Sequence, residues 1–149
     1  MSNRATELQP GLFRSPRPTE AELRAWSPAL QTLIDLEPTR YETVESGITK
    51  ALGILELSVP MSSFWPPELG AVERATSWMA DKSKRPLCVH CKQGVDRTGV
   101  VVAFWRVRYC RWQPTAAFQE MLDAGFHRNR YVYWMPRIRW LLEQARVQP

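Results

Sequence analysis

Residues 90–99 read H-C-K-Q-G-V-D-R-T-G and gather a thiol, a guanidinium, a carboxyl and two glycines. Five residues separate Cys91 from Arg97. If the chain between them curls into a cradle, its backbone N–H groups converge on one point and bind phosphate oxygens. A helix beginning just after adds its partial positive charge at the same point. Arg97 offers a planar fork able to hold two of those oxygens. Such a field favours Cys91 as thiolate, the form in which cysteine is a nucleophile. Gly94 lets the backbone turn tightly, and Gly99 permits close packing where the helix starts. Thr98 can donate its hydroxyl to the Cys91 sulfur. The pattern assigns the chemistry to Cys91, Arg97 and Thr98, and substrate binding to His90, Lys92, Gln93, Gly94, Val95 and Gly99.

Such a loop must sit between a strand and a helix. Leu87–His90 is a short apolar strand entering it, and from Thr98 to about Arg111 the chain is apolar on nearly every side, as in a helix buried at the centre of a fold. Upstream, 11–13 reads as a short edge strand before the turn Ser15-Pro16-Arg17-Pro18. Thr19 with Glu22 forms a capping box ahead of Leu23 and Trp26. Strands are expected over 30–36 and 54–59, with an irregular or helical crossover over 38–52. Pro67 opens a helix carrying Leu69, Val72, Thr76 and Met79 on one face. Two more helices fall at 114–124 and 136–146. Strands alternating with helices, then a helical end, predict an α/β sandwich around a mostly parallel sheet of four to five strands. Its site should lie at the carboxyl ends of the strands.

The chain of 149 residues suits one domain, 1–149, and its 44% apolar and 23% charged content is that of a globular protein. No run is long and apolar enough for a membrane span, and no signal peptide is visible, so a cytoplasmic monomer is the expectation. The net charge of +5 is uneven: residues 84–149 hold 12 basic and 4 acidic side chains, whereas 1–83 hold 8 and 11. A basic half favours anionic partners. Without a Lys/Arg run or a nucleic-acid motif, nucleic acid is not expected. Three cysteines make no disulfide framework, and two histidines with no paired ligand spacing argue against zinc; no metal or cofactor is required. Cys88 and Cys91 have the C-x-x-C spacing, yet Cys88 falls inside a strand rather than at a helix start, against redox use.

H-C-x-x-G-x-x-R-T-G resembles the signature of the protein tyrosine and dual-specificity phosphatase superfamily. Gly11-Leu12-Phe13-Arg14-Ser15-x-x-Pro18-Thr19 is similar to the start of its compact, atypical dual-specificity members, and Val59-Pro60-Met61-Ser62-Ser63-Phe64 to the loop they place before the signature. The resemblance implies a compact dual-specificity-phosphatase fold and a two-step hydrolysis, in which Cys91 is phosphorylated and water then releases phosphate. Members commonly carry a general-acid Asp on the preceding loop. Here 60–67 reads P-M-S-S-F-W-P-P, with Ser63 about where that Asp stands. Asp96 is the most economical replacement, because C-x-x-G-x-D-R resembles the loops of phosphoinositide-directed phosphatases. It competes with a role in which Asp96 only bonds loop amides or a neighbouring base, and Glu68 or solvent are lesser proton sources. Lys92 after the nucleophile is again similar to inositol-lipid phosphatases, although Val95 stands where those loops often have a second lysine. Arg14, Arg17, His127, Arg128 and Arg130 could widen a basic rim or simply be solvated, and Trp65 could shape the pocket mouth. Three functions compete: a phosphatase for inositol phosphates or lipid headgroups, a phosphoprotein phosphatase, and a phosphate-binding module without turnover.

Overall fold

The computed structural model describes residues 4–146, the side chains of 39–43 excepted; the ends of the expected domain 1–149 lie outside them. Five strands, β1 (Thr6–Gln9), β2 (Leu12–Ser15), β3 (Thr32–Asp35), β4 (Leu55–Ser58) and β5 (Leu87–His90), form one sheet in the order β1-β2-β5-β3-β4. All neighbours are parallel except β1, which pairs antiparallel with β2. The expected edge strand at 11–13 is therefore internal. β1 covers that edge, and its polar sequence T-E-L-Q carries too little apolar signal to announce a strand.

The side-chain period of two decides what each face holds. On one face Leu12, Ile34, Leu57, Leu87 and Val89 join the larger core with α3 (Leu69–Ala80), α4 (Arg97–Cys110), α5 (Pro114–Asp123) and α6 (Met135–Ala145). On the other, Leu33 and Cys88 pack with Leu23 and Trp26 of α1 (Glu20–Trp26), with Phe13 and with Ile48 and Leu52 of α2 (Thr39–Leu52). The capping box forms as read: Thr19 Oγ1 accepts from Glu22 N and Glu22 Oε1 from Thr19 N. The 38–52 crossover is a full helix, closed by Gly53 in the left-handed region at φ 73°. Short 3₁₀ turns at Lys82–Lys84 and Val132–Trp134 precede β5 and α6.

Helix α4 is buried on every side from Arg97 to Trp105 because it lies between the sheet and its helical neighbours. Phe104 and Trp105 are almost wholly removed from water, worth roughly 2–3 kcal/mol each in apolar burial. Its start is therefore rigid. Among the described residues no helix is long and apolar enough to cross a membrane.

Candidate active site

The site begins where three parallel strands end together. Ser15 of β2 and Asp35 of β3 are both in register with His90 of β5, and the chain then leaves the sheet through residues 91–96 into α4. Gly94 has φ 78°, and a Cβ there would stand 2.6 Å from Pro16 N and 2.7 Å from the Ser15 carbonyl. Only glycine fits this loop against the end of β2. From below, Arg14 Nη2 donates to Gly94 O at 2.8 Å, and Arg17 N donates to Lys92 O at 3.0 Å. Gly94 N points back at Cys91 Sγ, 3.3 Å away. Arg14 is thus a buried strut rather than part of a basic rim, and burial pushes its guanidinium below its ordinary value. Arg17 is held by a bidentate pair with Glu37.

Cys91, Lys92, Gln93, Asp96 and Arg97 line one cleft, together with Glu37, Pro38, Ser63, Arg130 and Tyr131. Five of the ten residues singled out from the sequence are brought together there. Arg97 is nearly buried, and its Nη1 donates to Met61 O at 3.3 Å, which ties the guanidinium to the strand-β4 side. Ser63 lines the cleft from the loop where the resemblance leads one to expect an acid, and a serine hydroxyl cannot protonate a leaving oxygen near neutral pH. Glu68 stands outside the cleft, at the start of α3 beside Trp65 and Pro67.

His90 is not in the cleft. Strand alternation turns it to the face opposite Cys91, where it is wholly buried. Its Nδ1 donates to the Cys91 carbonyl at 3.2 Å, so Nε2 of the neutral ring accepts, and Glu45 lies 2.8 Å from it. Burial pushes His90 down and Glu45 up, so both lean toward their neutral forms. Around this pair burial also raises Asp35 to about 7 and Glu56 to about 7. Asp35, Glu45 and His90 offer ligand atoms within 4.8 Å of one another, but they are a proton-sharing set behind the loop, with no member except through Cys91 touching the cleft.

Asp96 makes the second pairing. It sits at the helix N-cap yet caps nothing; Oδ1 accepts from His127 N at 2.9 Å, and Oδ1 and Oδ2 lie 3.0 and 2.9 Å from His127 Nδ1. The carboxylate is almost buried, while His127 is 44% exposed and links it to water. His127, expected either to widen a basic rim or to be solvated, is partly exposed and holds Asp96 through two bonds. No local pattern couples two residues 31 apart in sequence.

Gly99 and Thr98 stand behind the cleft. Gly99 packs where a Cβ would meet Met121 Cγ at 3.1 Å, as its expected packing role requires, but it reaches no substrate position. Thr98 is buried, and its Oγ1 has no hydrogen-bond partner among the described residues, so the expected bond to the Cys91 sulfur is not formed. Gly94 and Val95 face away from the cleft side chains, toward Arg14, Glu120 and Ala124. Cys88 lies on the face opposite Cys91, against Ser15 Oγ at 3.3 Å, and burial pushes its thiol up to about 12. That parity, more than the spacing, removes the redox reading.

A parallel sheet ending in a cysteine-arginine phosphate loop, with the loop's helix buried, defines a cysteine-based phosphatase of the dual-specificity class. The chain belongs to the family described as DSP-PTPase phosphatase fused to NAD+ kinase, whose pattern matches residues 3–130. It is 32% identical over 81 residues to NAD kinase 2, chloroplastic, of Arabidopsis thaliana, a match covering 51% of this chain and 8% of that protein. It is 38% identical over 47 residues to the dual specificity protein phosphatase TpbA of Pseudomonas aeruginosa, 32% of this chain and 22% of that one. The chain thus matches only a minor part of the length of these curated relatives. The TpbA structure has a TM-score of 0.75 at 20% identity, covering 97% of this chain and 89% of that one. The core catalytic domain of the PP-IP phosphatase SIW14 from S. cerevisiae, in complex with citrate, has a TM-score of 0.77 at 21% identity, covering 95% and 85%. At such identities these two structures carry the fold.

Proposed function

We propose that this protein hydrolyses phosphomonoesters of inositol phosphates or phosphoinositide headgroups through a cysteinyl-phosphate intermediate, as a single catalytic domain and a cytoplasmic monomer. The observation that carries the reading is that Asp96 lines the same cleft as Cys91 and Arg97, while the preceding loop offers no acid. Cys91 Sγ attacks phosphorus in line with the leaving oxygen. The P–O bond breaks, Arg97 and the loop amides hold the three equatorial oxygens, and Asp96 gives its proton to the leaving alcohol. Water then attacks phosphorus, the S–P bond breaks, and Asp96 takes the proton from that water. The sequence of steps needs no metal. Lys92 and Arg130 add charge around Arg97, Glu37 is paired with Arg17, and an Asp96 that carries the leaving-group proton adds no negative charge to the cleft. That balance supports a substrate bearing more than one phosphate.

A protein-tyrosine or dual-specificity phosphatase is the second reading, supported by the family description and by the TpbA structure solved with phosphotyrosine. A panel of inositol phosphates, phosphotyrosine and phosphoserine peptides and NADP+, with Cys91→Ser as the blank, separates the readings. The expected result is kcat/KM at least about tenfold higher on an inositol phosphate than on any peptide, a preference of ~1.4 kcal/mol. Higher values on peptides or on NADP+ overturn the substrate assignment. No turnover of any ester, with phosphate still bound, makes the protein a phosphate-reading module.

A further inference from the structure

Most large apolar side chains among the described residues are inside; of the eight exposed ones, Val44, Leu55, Tyr109 and Trp140 stand apart, and the other four cluster. Phe64 is 74% exposed, Trp65 73%, Val132 63% and Tyr133 51%, and these four belong to two segments that meet beside the cleft. Phe64 O accepts from Tyr133 Oη and, at 2.9 Å, from Trp134 Nε1. Within the loop, Ser62 Oγ accepts from Phe64 N at 2.9 Å and Trp65 N at 3.0 Å, and Pro66 and Pro67 follow at once. Behind the second segment Tyr131 stacks on the fully buried Trp134, with ring centroids 4.3 Å apart. The backbone is therefore fixed so that Phe64 and Trp65 project outward instead of folding onto the body. Trp65 also walls a shallow hollow with Met61, Pro67 and Glu68, and both rings stand out at the surface beside it.

The cleft opens between Ser63, one residue before Phe64, and Arg130–Tyr131, one residue before Val132. Whatever covers the protrusion also faces the cleft. The exposed cations lining the cleft are Lys92 and Arg130, neither in a salt bridge among the described residues; Arg130 leans on the Tyr131 ring, 5.4 Å from its centroid. Glu68, farther along the loop, is the exposed acid beside the protrusion. Projecting aromatic rings ringed by arginine and lysine suit the headgroup level of an anionic membrane, where the rings insert and the cations meet lipid charge.

We propose that this aromatic-cationic rim docks the protein on an anionic lipid bilayer and presents the cleft to phosphate groups in the headgroup plane. The proposal rests on the inositol-phosphate reading for its choice of substrate, which it narrows to the membrane-borne form; the docking itself does not depend on turnover. A protruding pair of rings needs a matching pocket on a protein partner, whereas a fluid interface accepts them without one.

The test is co-sedimentation of the full chain, as Cys91→Ser, with phosphatidylcholine vesicles containing or lacking phosphatidylserine. Binding is expected to the anionic vesicles, roughly tenfold or more tighter than to the neutral ones, and to weaken as salt rises. The double variant Phe64→Ser/Trp65→Ser, made in the active chain, is expected to lose about tenfold in vesicle binding while hydrolysing free inositol phosphates at the parental rate. Equal, negligible binding to both vesicle types overturns the proposal. So does a dimer held together by Phe64 and Trp65 in vesicle-free solution, which gives the patch to a second copy. Vesicle binding without hydrolysis of any inositol phosphate removes the substrate reading and leaves the docking standing; hydrolysis of free inositol phosphates without vesicle binding does the reverse.

Discussion

Two histidine–carboxylate pairs bracket the phosphate loop, and they are opposites. Glu45–His90 lies on the α2 side of the sheet, wholly enclosed, and grips the Cys91 carbonyl from behind. Asp96–His127 lies at the mouth, with the carboxylate facing the cleft and the imidazole nearly half in water. Burial drives the first pair toward its neutral forms, so its proton has nowhere to go. The second pair has one member in water, His127, and one facing the cleft, Asp96. In the proposed mechanism the same two residue types thus serve support in one place and proton transfer in the other, and the difference is access to water.

Breaking the buried pair should have the largest effect on the fold. His90→Ala leaves Glu45 without its acceptor and frees the Cys91 carbonyl, and it is expected to cost about 3 kcal/mol in denaturant unfolding. Because the loop loses its rear anchor, activity should fall with it. His127→Ala should instead leave stability within about 0.5 kcal/mol, since the ring is surface-linked. It is expected to lower kcat on alkyl phosphates roughly tenfold at constant KM. His127→Asn, which keeps a hydrogen-bonding group beside Asp96, should recover most of the rate. A KM effect alone would make His127 a substrate contact and not a positioning residue.

The smallest effect concerns pH and stability. Asp35 and Glu56 are raised by burial to about 7, so the stability they allow is complete below their unfolded values and declines as pH rises toward 7. His90, lowered by burial, works the other way and withdraws stability as pH falls below 6.5. Glu56→Gln removes the ionisation. Its thermal midpoint, compared with the parent, should therefore rise by a few degrees at pH 8 and change little at pH 5. A larger gain at pH 5 would contradict the proton-sharing cluster.

Much of this arrangement was legible in the sequence because it is local. The ten residues of the signature, the Thr19–Glu22 box and the apolar run of α4 each carry their structure within one or two turns of chain. The sheet was legible except for β1, whose four mostly polar residues depend on β2 for their conformation. Long-range partners were not legible: nothing near Arg14 says that Gly94 will lie above it, and nothing near His127 points to Asp96. His90 is the instructive intermediate case. Strand alternation alone puts Leu87 and Val89 on one face and Cys88 and His90 on the other, so the parity of the strand already excluded both a substrate contact by His90 and a disulfide between Cys88 and Cys91.

The claim at the centre of the account is that the leaving-group proton comes from inside the phosphate loop, at Asp96. It is tested by turnover of an aryl phosphate, whose phenol has a pKa near about 10, against an alkyl inositol phosphate, in the parent and in Asp96→Asn. Loss of an acid should weigh on the poorer leaving group: about a hundredfold or more on the inositol phosphate and less than about tenfold on the aryl ester. Equal losses on the two esters would contradict it and return Asp96 to a purely structural partner of His127.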